Sequence, residues 1–296
     1  MQNNIVRSTA LNGTLRVSSV ITTNVIDEAR LKHDTFPVAT AALGRVITGT
    51  LLLSWGLKEE GTITVRVLGD GPLGGIIAIA NSQGEVRGYV QEPHVYLPLN
   101  SAGKIDVGGG VGAGSLYITK DLGLERPYTG STPLITGEIG DDLAKYLLDS
   151  EQTPSLVSLG VLVDKDNSVL ASGGIIIQAL PGAEEEALIK IEENLKDVKP
   201  ISTLIKEGLD AKGLIGEYLK GIDIKILDEK PVMFKCECSK DKLENILISL
   251  GDKEIKDIVE TEGRAEIRCH FCNEEYLFNK DDLEKLVEEI NNNKNK

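Results

Sequence analysis

All four cysteines of this 296-residue chain fall in two short runs near one end, "KCECSK" at 235–240 and "RCHFCN" at 268–273. The first reads C-x-C and the second C-x-x-C, with thirty residues between them. Two close pairs of thiols, brought together by a fold, make an all-cysteine tetrahedral set of the kind that selects zinc, with an iron–sulfur cluster as the chemical rival. Cys236 and Cys238 in extended backbone point to the same side, with Cα atoms about 6.5 Å apart, so both sulfurs reach one ion. Cys269 and Cys272 have the usual knuckle spacing. His270, between them, is the alternative ligand, but its place beside Cys269 directs it to solvent.

The ligand set constrains the fold around it. Residues 231–296 read as a small unit: helices over 239–251 and 252–263, strands at 265–269 and 275–278 around the second pair, and a helix over 280–290. A polar Asn/Lys tail is expected to be disordered. Few large apolar residues serve this unit, so its own core holds it poorly. Structural zinc contributes about 10–16 kcal/mol to the folding of such modules. That matches or exceeds the roughly 5–15 kcal/mol by which whole domains are stable. Whatever removes the metal therefore unfolds the module, and oxidation of the thiolates is one such event.

Residues 1–180 differ in texture. "TITVRVLGD" (62–70), "GIIAIAN" (75–81), "VRGYV" (86–90) and "GSLYITKDLG" (114–123) are strand-like. "SLGVLVDKDNSVLASGGIIIQAL" (158–180) is a hairpin turning at "DKDNS". Helices are expected over 24–33, over 38–57 after Pro37, and over 140–150, where Asp141 and Asp142 mark the N-terminal turn. The fold class is α+β: a β-rich N-terminal domain with packed helices, a helical linker at 181–230, and a small C-terminal α+β module. In the linker, three glutamates (184–186) open one helix and Pro200 ends it. The amphipathic stretch 201–221 contains Gly208, Gly213 and Gly216. Each interior glycine costs about 0.8–1 kcal/mol of helix relative to alanine. Such a segment stays helical only while docked.

Several function classes are disfavoured. The net charge of −14 and an aromatic content of 4% oppose nucleic-acid binding. The apolar stretch at 38–57 carries Arg45, threonines and glycines, so a buried helix is expected there and no membrane span. With no signal peptide read at "MQNNIVRSTALNG", the expected location is the cytoplasm, where clustered cysteines are metal-bound or redox-active. "GGGVGA" (108–113) precedes a strand-like run and lacks a phosphate-loop lysine, so a hairpin turn is expected instead of a nucleotide site. His33 and His94 have no partner nucleophile motif, and no enzymatic activity is expected. The alternative from another class is a thiol–disulfide oxidoreductase using Cys269 and Cys272, against which the absence of a thioredoxin-like βαβ context counts.

"FKCECS" with "IRCHFCNEEYLF" resembles the zinc module of the heat-shock protein 33 family, the 33 kDa redox-regulated bacterial chaperones. "VATAALGR", "GDGPLGG", "VGGGVGAG", "TGEIGDDLAKYLLDSEQTPS" and "GGIIIQALPGA" resemble its N-terminal domain, in order, so the likeness covers nearly the whole chain. It implies an ATP-independent holdase, inactive while reduced and zinc-bound through Cys236, Cys238, Cys269 and Cys272. It implies that oxidation, with unfolding stress, forms Cys236–Cys238 and Cys269–Cys272 disulfides and releases zinc. The module and linker then loosen, and unfolding clients bind, often to a homodimer.

Overall fold

The computed structural model describes residues 3–54, 56–57, 61–124, 126–183 and 185–294, in two compact units, Met1–Lys235 and Cys236–Lys296. In the first, β1 (Asn4–Ala10) and β2 (Leu15–Ile21) form a hairpin, followed by α1 (Thr23–His33) and α2 (Pro37–Ser54). Next come β3 (Thr62–Gly69), β4 (Gly75–Asn81), β5 (Glu85–Val90), the one-turn α3 (Val107–Val111), β6 (Gly114–Asp121), β7 (Tyr128–Pro133) and α4 (Gly140–Glu151). The hairpin of β8 (Ser155–Val163) and β9 (Val169–Ala179) precedes α5 (Glu185–Asp197), α6 (Ile201–Lys206) and α7 (Ala211–Tyr218). Strands β10 (Ile224–Pro231) and β11 (Met233–Phe234) complete the unit.

These strands make two sheets, ordered β10-β1-β2-β9-β8 and β11-β5-β4-β3-β6-β7. Every pairing is antiparallel except that of β11 with β5. In the six-stranded sheet, β3, β4 and β5 alternate buried and half-buried residues, because α2 covers one face. Helix α2 also packs on β2, β8 and β9 of the other sheet. Covered on both sides, it is apolar all round: by length and composition it could cross a membrane, but fifteen of its eighteen residues are buried in this unit. Trp55, inside the expected helix, lies outside the described residues, as does Glu184 before α5.

The five-stranded sheet is covered on its other face by α6 and α7. Ile201, Leu204, Ile205, Leu214, Ile215, Tyr218 and Leu219 join Leu15, Val17, Ile175 and Ile177 in one buried cluster. Tyr218 donates to Ser158 Oγ on β8 at 2.8 Å, and Ser19 on β2 donates to the Ala211 carbonyl. The stretch 201–221 is thus two helices. Gly208, at φ +105°, ends the first, and the Asp210 carboxylate accepts from Gly213 N–H at 2.7 Å to start the second. Gly208 therefore serves as a helix stop and adds nothing to helix weakness, while Gly213 and Gly216 do lie inside α7. "GGGVGA" is no hairpin turn: it forms α3 and its exit. Its carbonyls at Gly110, Val111 and Ala113 accept from Leu73, Gly71 and Asp70, tying it to the β3–β4 turn.

The second unit holds α8 (Lys240–Leu250), α9 (Asp252–Thr261), the hairpin of β12 (Arg264–Arg268) and β13 (Glu275–Asn279), and α10 (Lys280–Lys294). Ser239 caps α8 and Asn279 caps α10 through their side-chain oxygens. Leu243, Leu247, Ile255, Phe278, Leu283, Leu286, Val287 and Ile290 form its core. Helix α10 continues through most of the tail that was expected to be disordered, since extending a nucleated helix costs little per residue. Asn295 and Lys296 lie outside the described residues.

Candidate metal centre

Two local devices present the four sulfurs. Strands β12 and β13 pair in register from Arg264 with Asn279 to Arg268 with Glu275, leaving Cys269–Glu274 as the tip. Within that tip Cys269 N–H donates to the Glu274 carbonyl at 2.9 Å, and Asn273 N–H donates to the Cys269 carbonyl at 2.8 Å. Asn273, at φ +60°, supplies the left-handed residue that folds the chain back. The C-x-C pair lies in the segment that runs into α8, just before the capping Ser239. Both pairs are thereby anchored to regular elements.

The four Sγ atoms lie within 4.8 Å of one another. Cys236 and Cys269 are 3.7 Å apart, and Cys238 and Cys272 are 3.2 Å apart. A tetrahedral zinc with sulfur ligands at about 2.3 Å has sulfur–sulfur edges of about 3.8 Å, which this spread brackets. All four are free thiols; Cys272 is buried and the others half-buried. His270 is exposed and is not part of the cluster.

Burial pushes the Cys272 thiol well up, opposed by the main-chain N–H of Glu274. Burial likewise raises Cys236, opposed by the N–H of Cys238. At Cys238 burial is outweighed by the Tyr276 hydroxyl and the neighbouring thiols, and the net shift is downward. Tyr276 donates to Cys238 Sγ at 3.2 Å, and its own ionisation is pushed far up, chiefly by that donation. Four neighbouring thiols in a partly desolvated space cannot all ionise unless a cation offsets their repulsion. A soft divalent ion meets that need, so the donor set fits zinc in number, type and spacing.

All four cysteines singled out in the sequence are brought together. Tyr276 was missed. The signal available was alternation on β13: Tyr276 shares a face with the fully buried Phe278, two residues on, which turns it inward.

A family model described as "Hsp33 protein" matches residues 3–279. The chain is 53% identical over 290 residues to the 33 kDa chaperonin of Desulforamulus reducens, covering 98% of this chain and 99% of that one. It is 47% identical over 283 residues to the 33 kDa chaperonin of Bacillus subtilis, covering 95% and 97%. The crystal structure of the 33 kDa chaperonin (heat shock protein 33 homolog) from Thermotoga maritima superposes with a TM-score of 0.92 at 37% identity, covering 99% of this chain and all of that one.

Proposed function

The chain belongs to the Hsp33 family, and from that membership we propose that it is a redox-regulated, ATP-independent chaperone of the cytoplasm. It is a holdase for proteins unfolding under oxidative and heat stress, and not an enzyme. The observation that carries this reading is the clustering of four free thiols within 4.8 Å in a unit with only eight buried apolar side chains in its core cluster. Residues 1–180 act as the chaperone core, 181–230 as a metastable linker and 231–296 as the switch.

Cys236, Cys238, Cys269 and Cys272 hold zinc in the reduced state. When bound, zinc supplies a four-point cross-link and keeps the sulfurs as thiolates. Oxidation joins Cys236 to Cys238 and Cys269 to Cys272. Each disulfide consumes two thiolates, two protons and one hydrogen peroxide, whose O–O bond breaks, and yields two waters. Disulfide sulfurs are poor ligands, so the cross-link is lost and the small core cannot hold the unit. Helices α6 and α7, both short and the second glycine-bearing, then loosen. Their release uncovers apolar surface on β1, β2 and β9 that takes up unfolding clients, with the oxidised chain acting as a homodimer.

The test is light scattering from a heat-unfolded client with the reduced zinc form and with the peroxide-treated form. Suppression by the treated form alone is expected. Equal inactivity of both would overturn the reading, and turnover of a dithiol substrate without zinc would replace it with the oxidoreductase.

A further inference from the structure

Besides the contacts between thiols, donors of two kinds reach the sulfurs of the centre. Cys236 and Cys272 each receive a main-chain N–H from two residues further on, Cys238 and Glu274. Those donors are fixed by backbone turns and are present whatever side chains the turns carry. Cys238 receives a side-chain donor, the Tyr276 hydroxyl at 3.2 Å. Tyr276 sits opposite Ile267 on the hairpin, with its ring packed against the core of the second unit. Its ring position is thus set by packing, and its hydroxyl is the one atom that distinguishes it from phenylalanine.

A hydrogen bond donated to a thiolate withdraws density from the lone pair that attacks an electrophile. Where a metal keeps the sulfur ionised, the ionised fraction is not limiting, so the donor acts only on nucleophilicity, which it lowers. Oxidation of the C-x-C pair by hydrogen peroxide begins with such an attack. A sulfur lone pair bonds to one peroxide oxygen, the O–O bond breaks, and hydroxide leaves to take a proton from water or buffer. The second sulfur of the pair then attacks the sulfenic sulfur and displaces hydroxide, forming the disulfide.

We propose that Tyr276 restrains the Cys236–Cys238 half of the switch, its hydroxyl holding the Cys238 lone pair and so setting the peroxide dose at which that pair oxidises. This rests on the redox-switch reading above. Tyr276 acts through Cys238 and is a tuning residue for the sulfur chemistry.

The experiment uses the full-length, zinc-loaded, reduced chain and follows zinc release with a chromogenic chelator, with and without hydrogen peroxide. Site-resolved alkylation of Cys238 by iodoacetamide is read in parallel by mass spectrometry. Tyr276→Phe is expected to speed peroxide-driven release and Cys238 alkylation by roughly threefold to tenfold. Release to the chelator alone should stay within about twofold, because the ring is retained. Replacing Tyr276 with 3-fluorotyrosine, a stronger donor of the same shape, is expected to slow both reactions, and it keeps the test alive if Tyr276→Phe folds poorly. If wild type releases zinc on oxidation and both variants match it, Tyr276 has no such role while the redox switch stands. A Tyr276→Phe gain seen equally without peroxide assigns the residue to metal retention and overturns the proposal. Peroxide that releases no zinc from wild type overturns the switch reading itself.

Discussion

Gly216→Ala isolates the contribution of helix weakness to linker release. Gly216 lies inside α7 and is exposed, and a Cβ added there meets no heavy atom within 4 Å. Its φ is not in the left-handed region, so alanine enters without strain. The substitution creates and removes no packing. Its effect is confined to helix propensity and to the entropy of the undocked chain, about 0.8–1 kcal/mol in favour of the helix. At room temperature that is roughly a fourfold to fivefold shift toward the docked helix. Gly208, at φ +105°, is the opposite control: alanine there is strained, and Gly208→Ala should loosen the α6–α7 turn. The assay is amide exchange of α7 in the reduced zinc form, paired with the peroxide dose giving half-maximal suppression of client aggregation. For Gly216→Ala, exchange in α7 should slow by that factor and the dose should rise. The reasoning fails if α7 amides in wild type are as protected as those of β9, since the linker would then open only with the whole unit. An unchanged peroxide dose despite slower exchange would equally show that helix weakness does not govern activation.

Removing zinc with a strong chelator under reducing conditions should unfold residues 236–296 and leave the first unit's exchange-protected strands intact, measured by amide exchange. A second unit that keeps its helices would show that its core suffices. Asp142, fully buried at the start of α4, accepts from the N–H groups of Ile135, Thr136 and Ile139 at 2.7, 3.1 and 2.9 Å. Asp142→Ala leaves those three donors without their acceptor, at about 1–3 kcal/mol each, and frees Ile139 from its φ of +71°. Urea unfolding of the first unit should register a loss of several kcal/mol. Glu229 on β10 is held below the ordinary carboxylate range chiefly by Lys212 on α7, with Asn4 also donating. A carboxyl depressed in the folded state contributes stability above its unfolded pKa that is lost as pH falls through the folded value. Docking of α7 should therefore hold through mild acid and weaken only as pH falls below the ordinary carboxylate range, read as faster α7 exchange relative to β9 after correction for intrinsic rates, and Glu229→Gln should abolish that pH dependence.

What the sequence disclosed follows from which physical signals survive in one dimension. The four ligand candidates were legible because thiol chemistry and short spacing are local. Strands β3, β4, β5 and β6 were legible because one face is packed and the other is not, which writes alternation into the chain. Strands β1 and β2 escaped notice for the opposite reason. Strand β2 is buried on both faces over Val17–Ile21 and β1 over Asn4–Val6, and their buried Ser8, Ser18 and Ser19 break any apolar run. Strand β10 is an edge strand whose Lys225, Asp228, Glu229 and Lys230 discourage further pairing and make it read as a loop. The break at Gly208 was hidden because apolar spacing carries across the turn. Tyr276 was hidden because its role depends on the fold bringing β13 beside Cys238.

The two faces of β2 and β9 differ in what covers them. Leu15, Val17, Ile175 and Ile177 share a face with the linker helices, and a Cβ on Gly173 would meet Ile205 of α6. The alternate residues turn the other way: a Cβ on Gly174 would meet Leu52 and Thr48 of α2, and Ser172 bonds Thr22, which in turn bonds Thr48. Undocking α6 and α7 therefore strips one face and leaves the α2 face packed. The stripped side is also the one nearer balance. About half the residues of these short helices are buried, each gaining roughly 1.5–3 kcal/mol at best, while every ordered residue costs about 1–2 kcal/mol of backbone entropy. Helix α2, nearly all buried between two sheets, has far more burial per ordered residue. A modest loss of support thus tips the linker and not the scaffold, and the face it uncovers is already a formed, twisted sheet lined with isoleucine, leucine and valine.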